Sequence, residues 1–232
     1  MFRALLINSE NDKPRISELS EDVLRRDGVL VKVEYSTLNY KDCLAILHGK
    51  PIIRKYPMVT GIDFSGTVLN DPSSGFKEGS KVLMTGFGMG EKFWGGHSEL
   101  ASVDASFLLN IPSGFTMKNA MQCGTAGLTA SMALLKLRDF GLTPASGKIL
   151  VTGATGGVGT LSILLLKKLG FHVIGATSNK ENIEFLENLG VQEILETSTL
   201  NSAKILDQQK WIGAIDTLGS KALAGVCAHT CA

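Results

Sequence analysis

What these 232 residues lack narrows the field before any motif is read. They lack an excess of either charge: 23 Lys and Arg stand against 22 Asp and Glu, a net +1. So even a balance offers neither the basic face a nucleic acid needs nor an acidic tail, and no nucleic-acid partner is expected. Long apolar runs are absent, and no window reaches the roughly 18 uncharged apolar residues of a membrane span. Cysteine is scarce. Cys43, Cys123, Cys227 and Cys231 have no framework spacing, so a reducing, cytoplasmic setting is the expectation. Histidine is as scarce, with His48, His97, His172 and His229 scattered and no Cys-x-x-Cys pair beside them. The densest group, Cys227-Ala228-His229-Thr230-Cys231, puts two cysteines on one helix face and His229 on another. Two ligands do not make a tetrahedral site, so no zinc is expected and carbonyl activation would fall to hydrogen bonds. The opening Met1 to Ile7 reads as a strand rather than a signal peptide, because the turn Asn11-Asp12-Lys13 follows it closely.

What is present is glycine, 26 residues of it, and an apolar share of 44%, enough for a sizeable core. The chain is organised around Val151-Thr-Gly-Ala-Thr-Gly-Gly-Val-Gly-Thr160. A short apolar run, Lys148 to Thr152, leads in, and an apolar stretch of helical length, Val158 to Leu169, leads out. Strand, glycine turn and helix in that order make a cradle for a dinucleotide pyrophosphate: glycine lets the backbone approach, and the helix N-terminus offers unpaired N–H groups to negative charge. The spacing is not the strict G-x-G-x-x-G form.

Two compositions flank this point. Residues 1 to about 115 are rich in short strands, predicted at Phe2–Ile7, Val29–Tyr35, Gly61–Leu69, Lys81–Thr85 and His97–Val103, with turns at Asp27-Gly28, Asp71 to Gly75 and the glycine-rich 86–96. No helix is interleaved, which predicts a compact barrel-like β domain. A helical pattern, Thr116 to Leu137, interrupted by Gly124 and Gly127 and ended by Gly141, joins the halves. From Lys148 strands and helices alternate, as in a parallel, doubly wound α/β sheet. Strands are predicted at Ile149–Thr152, His172–Ala176, Glu193–Leu195 and Ala214–Thr217, and helices at Val158–Leu169, Lys180–Leu189, Leu200–Gln208 and Lys221–Thr230. Four strands fall short of the six of a full dinucleotide fold. The domain reading is 1–118 and 119–232.

The second strand of that sheet indicates which dinucleotide. A loop that prefers NAD carries Asp or Glu about twenty residues past the glycines to hold the ribose hydroxyls. Here the strand tip runs Thr177-Ser178-Asn179-Lys180. Ser178 can donate to a 2′-phosphate and Lys180 supplies charge, so NADPH is favoured over NADH. Ser178 and Asn179 read equally well as the cap of the next helix, and both roles are compatible.

With these residues in view, the chain resembles the zinc-free medium-chain dehydrogenases/reductases, in the acrylyl-CoA reductase and quinone-oxidoreductase-like branch. The resemblance is carried by Ser36 to Asp42 (Ser-Thr-Leu-Asn-Tyr-Lys-Asp), Ile52-Ile53-Arg54 with Tyr56-Pro57-Met58, Gly61-Ile62-Asp63-Phe64-Ser65-Gly66, Gly95-Gly96, Gly124 to Ala130, Val151 to Gly159 and Gly213 to Thr217. Where zinc-dependent relatives have Gly-His-Glu, this chain has Gly61-Ile62-Asp63. The resemblance implies a GroES-like β-rich domain followed by a Rossmann domain that is incomplete, with NADPH and no zinc. It implies cofactor contacts from Tyr40, Thr125, Thr129, Thr155, Gly156, Gly157, Val158, Ser178, Asn179, Lys180 and Leu218. Tyr40, Asn39 and Asp63 are the candidate catalytic residues, with Asn39 and Tyr40 in a loop just past a strand. Asp63, in an apolar strand, requires a partner, and acts either on a proton or by orienting a neighbour. Thr125 and Thr129 read equally well as helix packing. Lys50, Arg54 and Lys55 form a basic loop that reads first as a solvated turn and second as a grip on CoA phosphates. Trp94 has no assigned role.

The function implied is NADPH-dependent reduction of an α,β-unsaturated carbonyl compound, a short enoyl-CoA such as acrylyl-CoA, by hydride transfer to the β-carbon. The alternative on the same scaffold is a quinone or general enone reductase. Members of the group run roughly a hundred residues longer and form homodimers through the part this chain lacks. The reading is therefore of a C-terminally short member, for which an inactive NADPH-binding fragment is the alternative of another class.

Overall fold

The computed structural model describes residues 1–73, 75–202 and 208–231. The chain divides into two compact units, Met1–Thr125 and Ala126–Ala232.

The first unit contains two antiparallel sheets. One joins β1 (Phe2–Ile7), β2 (Arg15–Leu19) and β4 (Met58–Val59) in the order β2-β1-β4. The other joins β3 (Val29–Ser36), β5 (Asp63–Asn70), β6 (Lys81–Thr85), β7 (Leu100–Val103) and β8 (Leu109–Asn110) in the order β7-β3-β5-β6-β8. In β1 and at the start of β3, buried and more exposed positions alternate, as one-sided sheets require. Val29, Val31, Phe64, Val68, Val82 and Met84 form one core, while Phe2, Ala4, Leu6 and Val59 form another. Three strands escaped the sequence reading. Arg15–Leu19 is an edge strand without a buried residue, so its alternation carries little hydrophobic signal, and Met58–Val59 and Leu109–Asn110 are two residues each.

The expectation of a helix-free first domain is corrected. Asn39 and Tyr40 do not lie in a loop: Asn39 is the N-cap of α1 (Tyr40–His48), and Tyr40 is its first residue. Asn39 and Asp42 form a capping box, with the Asp42 carboxylate accepting from the Asn39 N–H at 2.8 Å. The Asn-x-x-Asp spacing is the local signal that starts this helix in place of the expected loop.

α2 (Met117–Asp139) is broken at Gly124, where φ is 48° and ψ −154°, while Gly127 is carried within the helix. The second unit is a parallel sheet of β9 (Lys148–Val151), β10 (His172–Thr177), β11 (Glu193–Glu196) and β12 (Gly213–Ile215), ordered β11-β10-β9-β12. In chain order that is 3-2-1-4, the first four strands of a Rossmann sheet. Alternate residues of β9 face opposite cores: Ile149 and Val151 pack with Val173, Ile163 and Leu166, and Leu150 packs with Ile174, Leu200, Trp211 and Val226. Both faces are buried, which is why these strands are apolar runs rather than alternations. The connecting helices are α3 (Gly157–Lys168), α4 (Ile183–Leu189) and α5 (Ser220–Ala228). Of the helix expected over Leu200–Gln208, residues 197–202 form a 3-10 turn and 203–207 lie outside the described residues.

Candidate functional site

The second unit builds its site from backbone. β9 leads through Thr152 to Gly153, whose φ of +54° favours glycine. A side chain at Gly153 would press on the Thr217 hydroxyl, and one at Gly159 would strike the Gly153 carbonyl and the Cα of Ala154. The turn is thus folded so tightly onto the start of α3 that only glycine fits. Gly156 is the extended N-cap of α3 and donates its N–H to the Gly153 carbonyl at 2.9 Å. Gly156 and Gly157 are exposed, Thr155 and Val158 half-buried. The first-turn N–H groups of α3 have no intrahelical acceptor and sit at the positive end of the helix dipole. They lie past the C-terminal end of β9, between its neighbours β10 and β12, where strand order reverses in such sheets. A pyrophosphate fits the cradle.

A polar clamp fixes the wall beside it. Thr152 Oγ1 donates to Asp216 Oδ1 at 2.5 Å and accepts the Thr217 N–H at 3.0 Å. Thr217 Oγ1 donates to the Thr152 carbonyl at 3.0 Å, and the Gly219 N–H to Asp216 Oδ2 at 2.8 Å. The clamp sets Leu218, 46% exposed, 3.5 Å from where a side chain on Gly153 would begin. Thr129, Val158, Asp216 and Thr217 line one cavity of about 470 Å³. Thr129 and Val158 thus share one cavity wall, and Leu218 stands beside the glycine turn. Thr152, Asp216 and Thr217 were missed as a group; their signal was the Asp-Thr pair closing Gly213 to Thr217.

At the tip of β10, Ser178, Asn179 and Lys180 are all exposed. The Asn179 side chain caps the next turn, accepting from the Glu181 N–H at 2.9 Å. Its amide nitrogen also reaches the Glu181 carboxylate at 3.3 Å. Ser178 and Lys180 have no side-chain partner among the described residues. The strand itself ends without an acid, but Glu181, one residue past the predicted trio, sets a carboxylate at this tip.

The first unit builds its site from side chains turned inward. Asp63 is fully buried and has no ion-pair partner among the described residues. Its Oδ2 accepts from Thr37 Oγ1 at 2.8 Å, Asn39 Nδ2 at 2.9 Å and the Thr125 N–H at 2.9 Å, while Oδ1 accepts from Thr125 Oγ1 at 2.5 Å. Gly124 makes this possible: at φ +48° it breaks α2, and a side chain there would meet Asp63 Oδ2 at 2.9 Å. Asn39 Nδ2 donates to Thr37 Oγ1 at 2.7 Å as well. Asp42, 1% exposed, accepts the Ile62 N–H at 3.0 Å, tying α1 to the strand that carries Asp63. His97 completes the knot. Its Nε2 donates to the Thr37 carbonyl at 2.8 Å, so its Nδ1 accepts from Thr60 Oγ1 at 2.9 Å. Tyr40, by contrast, is 79% exposed. The network gathers Asn39, Asp63 and Thr125, and adds Thr37, Thr60 and His97, to which the sequence assigns no place in a site. Lys50 of the basic loop pairs with Glu10 at 2.7 Å.

Among the described residues no three or more His, Cys, Asp or Glu are grouped as metal ligands, and no helix is long and apolar enough to cross a membrane. His229 is buried edge-on against Trp211, ring centroids 5.4 Å apart.

Residues 25–113 match the alcohol dehydrogenase GroES-like domain. The chain is 42% identical to a protein of Escherichia coli (strain K12) named probable acrylyl-CoA reductase AcuI, over 98% of this chain and 71% of that one. It is 40% identical to the putative quinone oxidoreductase YhfP of Bacillus subtilis, over 97% of this chain and 70% of that one. This chain belongs to the medium-chain dehydrogenase/reductase family, in the acrylyl-CoA reductase and quinone-oxidoreductase-like branch. Solved structures of the family agree. E. coli YhdH with bound NADPH superposes with a TM-score of 0.93 at 43% identity, over 98% of this chain and 71% of that one. B. subtilis YhfP with bound NAD superposes at 0.94 and 39%, over 99% and 71%. Membership makes the chain an oxidoreductase with a GroES-like and a Rossmann-type part.

Proposed function

We propose that this chain is an NADPH-dependent reductase of α,β-unsaturated carbonyl compounds, with a short enoyl-CoA such as acrylyl-CoA as substrate. The observation that carries the reading is the exposed glycine turn at the start of α3, walled by Leu218 and completed at the β10 tip by the exposed Ser178 and Lys180. When bound, the reduced nicotinamide supplies a hydride for the β-carbon of the substrate. Thr155, Gly157 and Val158 hold the pyrophosphate through backbone N–H groups, and Gly156, its own N–H turned to Gly153, lets the phosphates approach by lacking a side chain. Ser178 donates to the 2′-phosphate, Lys180 neutralises it, and Asn179 shapes the turn that carries both. Thr129 lines the cavity beside that turn.

The exposed phenol of Tyr40 donates a hydrogen bond to the substrate carbonyl, where charge builds during reduction. One such donor is worth about 3 kcal/mol of barrier. Asn39, Thr125 and Asp63 divide the supporting work. Asp63 does not reach a reactant, since its oxygens are engaged by Thr37, Asn39 and Thr125. It holds Asn39 at the start of α1, and so sets the direction of Tyr40.

Relatives named acrylyl-CoA reductase and the NADPH bound to YhdH support this reading. A second reading, a quinone or enone reductase less strict about its dinucleotide, is favoured by YhfP with its bound NAD and by Glu181 beside Asn179. Steady-state assay with acrylyl-CoA, a free enone and a quinone, each with NADPH and NADH, tests both. Turnover of the thioester with NADPH is expected. Quinone turnover without thioester turnover would overturn the first reading in favour of the second.

A further inference from the structure

A cavity of about 310 Å³ in the first unit takes none of the residues of the proposed reductase site into its lining, and of the basic loop only Lys55. Its floor is apolar: Met58 and Val59 of β4, Ala101 and Val103 of β7, and Met89, each no more than 3% exposed. A volume of this size falls at the lower end of small-ligand sites, and the mouths of β-barrels are a preferred place for them.

The polar groups of the lining are spent on the protein itself. Trp94 Nε1 donates to the Pro57 carbonyl at 2.8 Å, Ser98 Oγ to the Leu100 carbonyl at 2.5 Å and Ser102 Oγ to the Arg25 carbonyl at 2.7 Å. Arg25 is bound to Asp27 at 3.1 and 2.9 Å. Asp104 accepts from the N–H and hydroxyl of Ser106 at 2.9 and 2.7 Å. A polar ligand body would therefore find no partner inside and would lose its own hydration. Two charged groups of the lining remain. Lys55 and Lys92 are exposed, line the cavity and have no side-chain hydrogen bond or ion pair among the described residues.

The loop that carries Lys92 is held over aromatic groups. Phe93 and Phe107 line the cavity, and Phe107 stacks on Phe87 with centroids 4.6 Å apart. Phe87 has a φ of +50°, an uncommon conformation for a bulky side chain and one that recurs at ligand clamps.

We propose that this cavity binds an anionic amphiphile: an apolar chain or ring system enters between β4 and β7, and a single carboxylate, sulfonate or phosphate head rests between Lys55 and Lys92. A cationic head would be repelled by both lysines. A neutral head would leave them without gain.

Calorimetric titration of the 232-residue protein with decanoate tests this, with decan-1-ol and decyltrimethylammonium as controls and Trp94 as a fluorescent reporter in the wall. Saturable one-to-one binding of decanoate is expected, with both controls weaker. Lys55→Glu with Lys92→Glu should weaken decanoate by roughly tenfold or more, as loss of close charge pairs does, with the melting temperature unchanged. Should that reversal lower the melting temperature, Lys55→Met with Lys92→Met is read in its place. The proposal is overturned if decanoate shows no saturable binding, if either control matches it, or if the lysine variants bind it as tightly as the parent. Because the readout is binding and not turnover, its failure leaves the reductase reading untouched.

Discussion

The two units prepare for chemistry in opposite ways. In the second, the groups offered to a ligand are backbone N–H groups left open at a helix start, and the side chains that matter are absent ones. In the first, the candidate residues spend their hydrogen bonds on each other, and Asp63 alone receives four. An open backbone site binds by what it leaves unsatisfied. A closed side-chain knot positions by what it satisfies, and its residues act through an exposed neighbour, Tyr40. Changes in the knot should therefore cost stability first, and changes at the turn should cost affinity first.

The largest effect should come from Asp63→Ala. It removes the shared acceptor of four hydrogen bonds from half-buried groups, and roughly 3–5 kcal/mol of unfolding free energy should be lost in urea titration. Asp63→Asn keeps the volume and one acceptor oxygen and should cost less; no loss at all would mean that the carboxylate has no special role in the knot. Next comes Gly153→Val. A β-branched residue forced to φ +54° costs about 1–2 kcal/mol, but dinucleotide affinity should fall by far more, below detection in a fluorescence titration. Unchanged affinity would break the contrast between the units. Smaller again is Ser178→Ala with Lys180→Ala. The ratio of NADPH to NADH affinity should drop roughly tenfold, the size of one charge-assisted hydrogen bond. If the ratio stays fixed, the 2′-phosphate is not read at the β10 tip.

The smallest effect lies at the other end of the same sheet. Glu193 accepts from Lys148 at 2.5 Å and His172 at 2.9 Å. Chiefly through the Lys148 hydrogen bond, its carboxyl is held below the ordinary value of 4.5. A lowered folded-state pKa contributes stability that is present above the ordinary value and lost as pH falls through the folded one. Because the pair is exposed and screened, about 0.2–1 kcal/mol is expected. Melting curves at pH 7 and at successive values below 4.5 should show this increment disappearing, and Lys148→Met should remove it at pH 7.

This asymmetry also explains what could be read from the sequence. The second unit is legible because its signals are local: an apolar run, glycines at short spacing and an apolar helix, all within some twenty residues. The first unit's strands at Phe2–Ile7 and Lys81–Thr85 were placed to the residue, since there buried positions recur with a short period. The knot was not legible, because its bonds join residues 24, 26 and 62 positions apart. Gly124 reads in the sequence as a helix interruption and as the start of a family stretch, and neither reading shows that it lets the Thr125 N–H reach Asp63. His97 was weighed as a metal ligand and set aside, and nothing local showed that both its nitrogens hold threonine groups. Asn39 with Asp42 did carry a local capping signal, and assigning it to a loop hid α1.

The central claim is that the turn Gly153 to Gly159 takes up a dinucleotide bearing a 2′-phosphate. Calorimetric titration of the 232-residue protein with NADPH and with NADH tests it most directly. Saturable one-to-one binding of NADPH, clearly tighter than that of NADH, is the predicted result. Heat traces with no saturation for either dinucleotide would contradict the account.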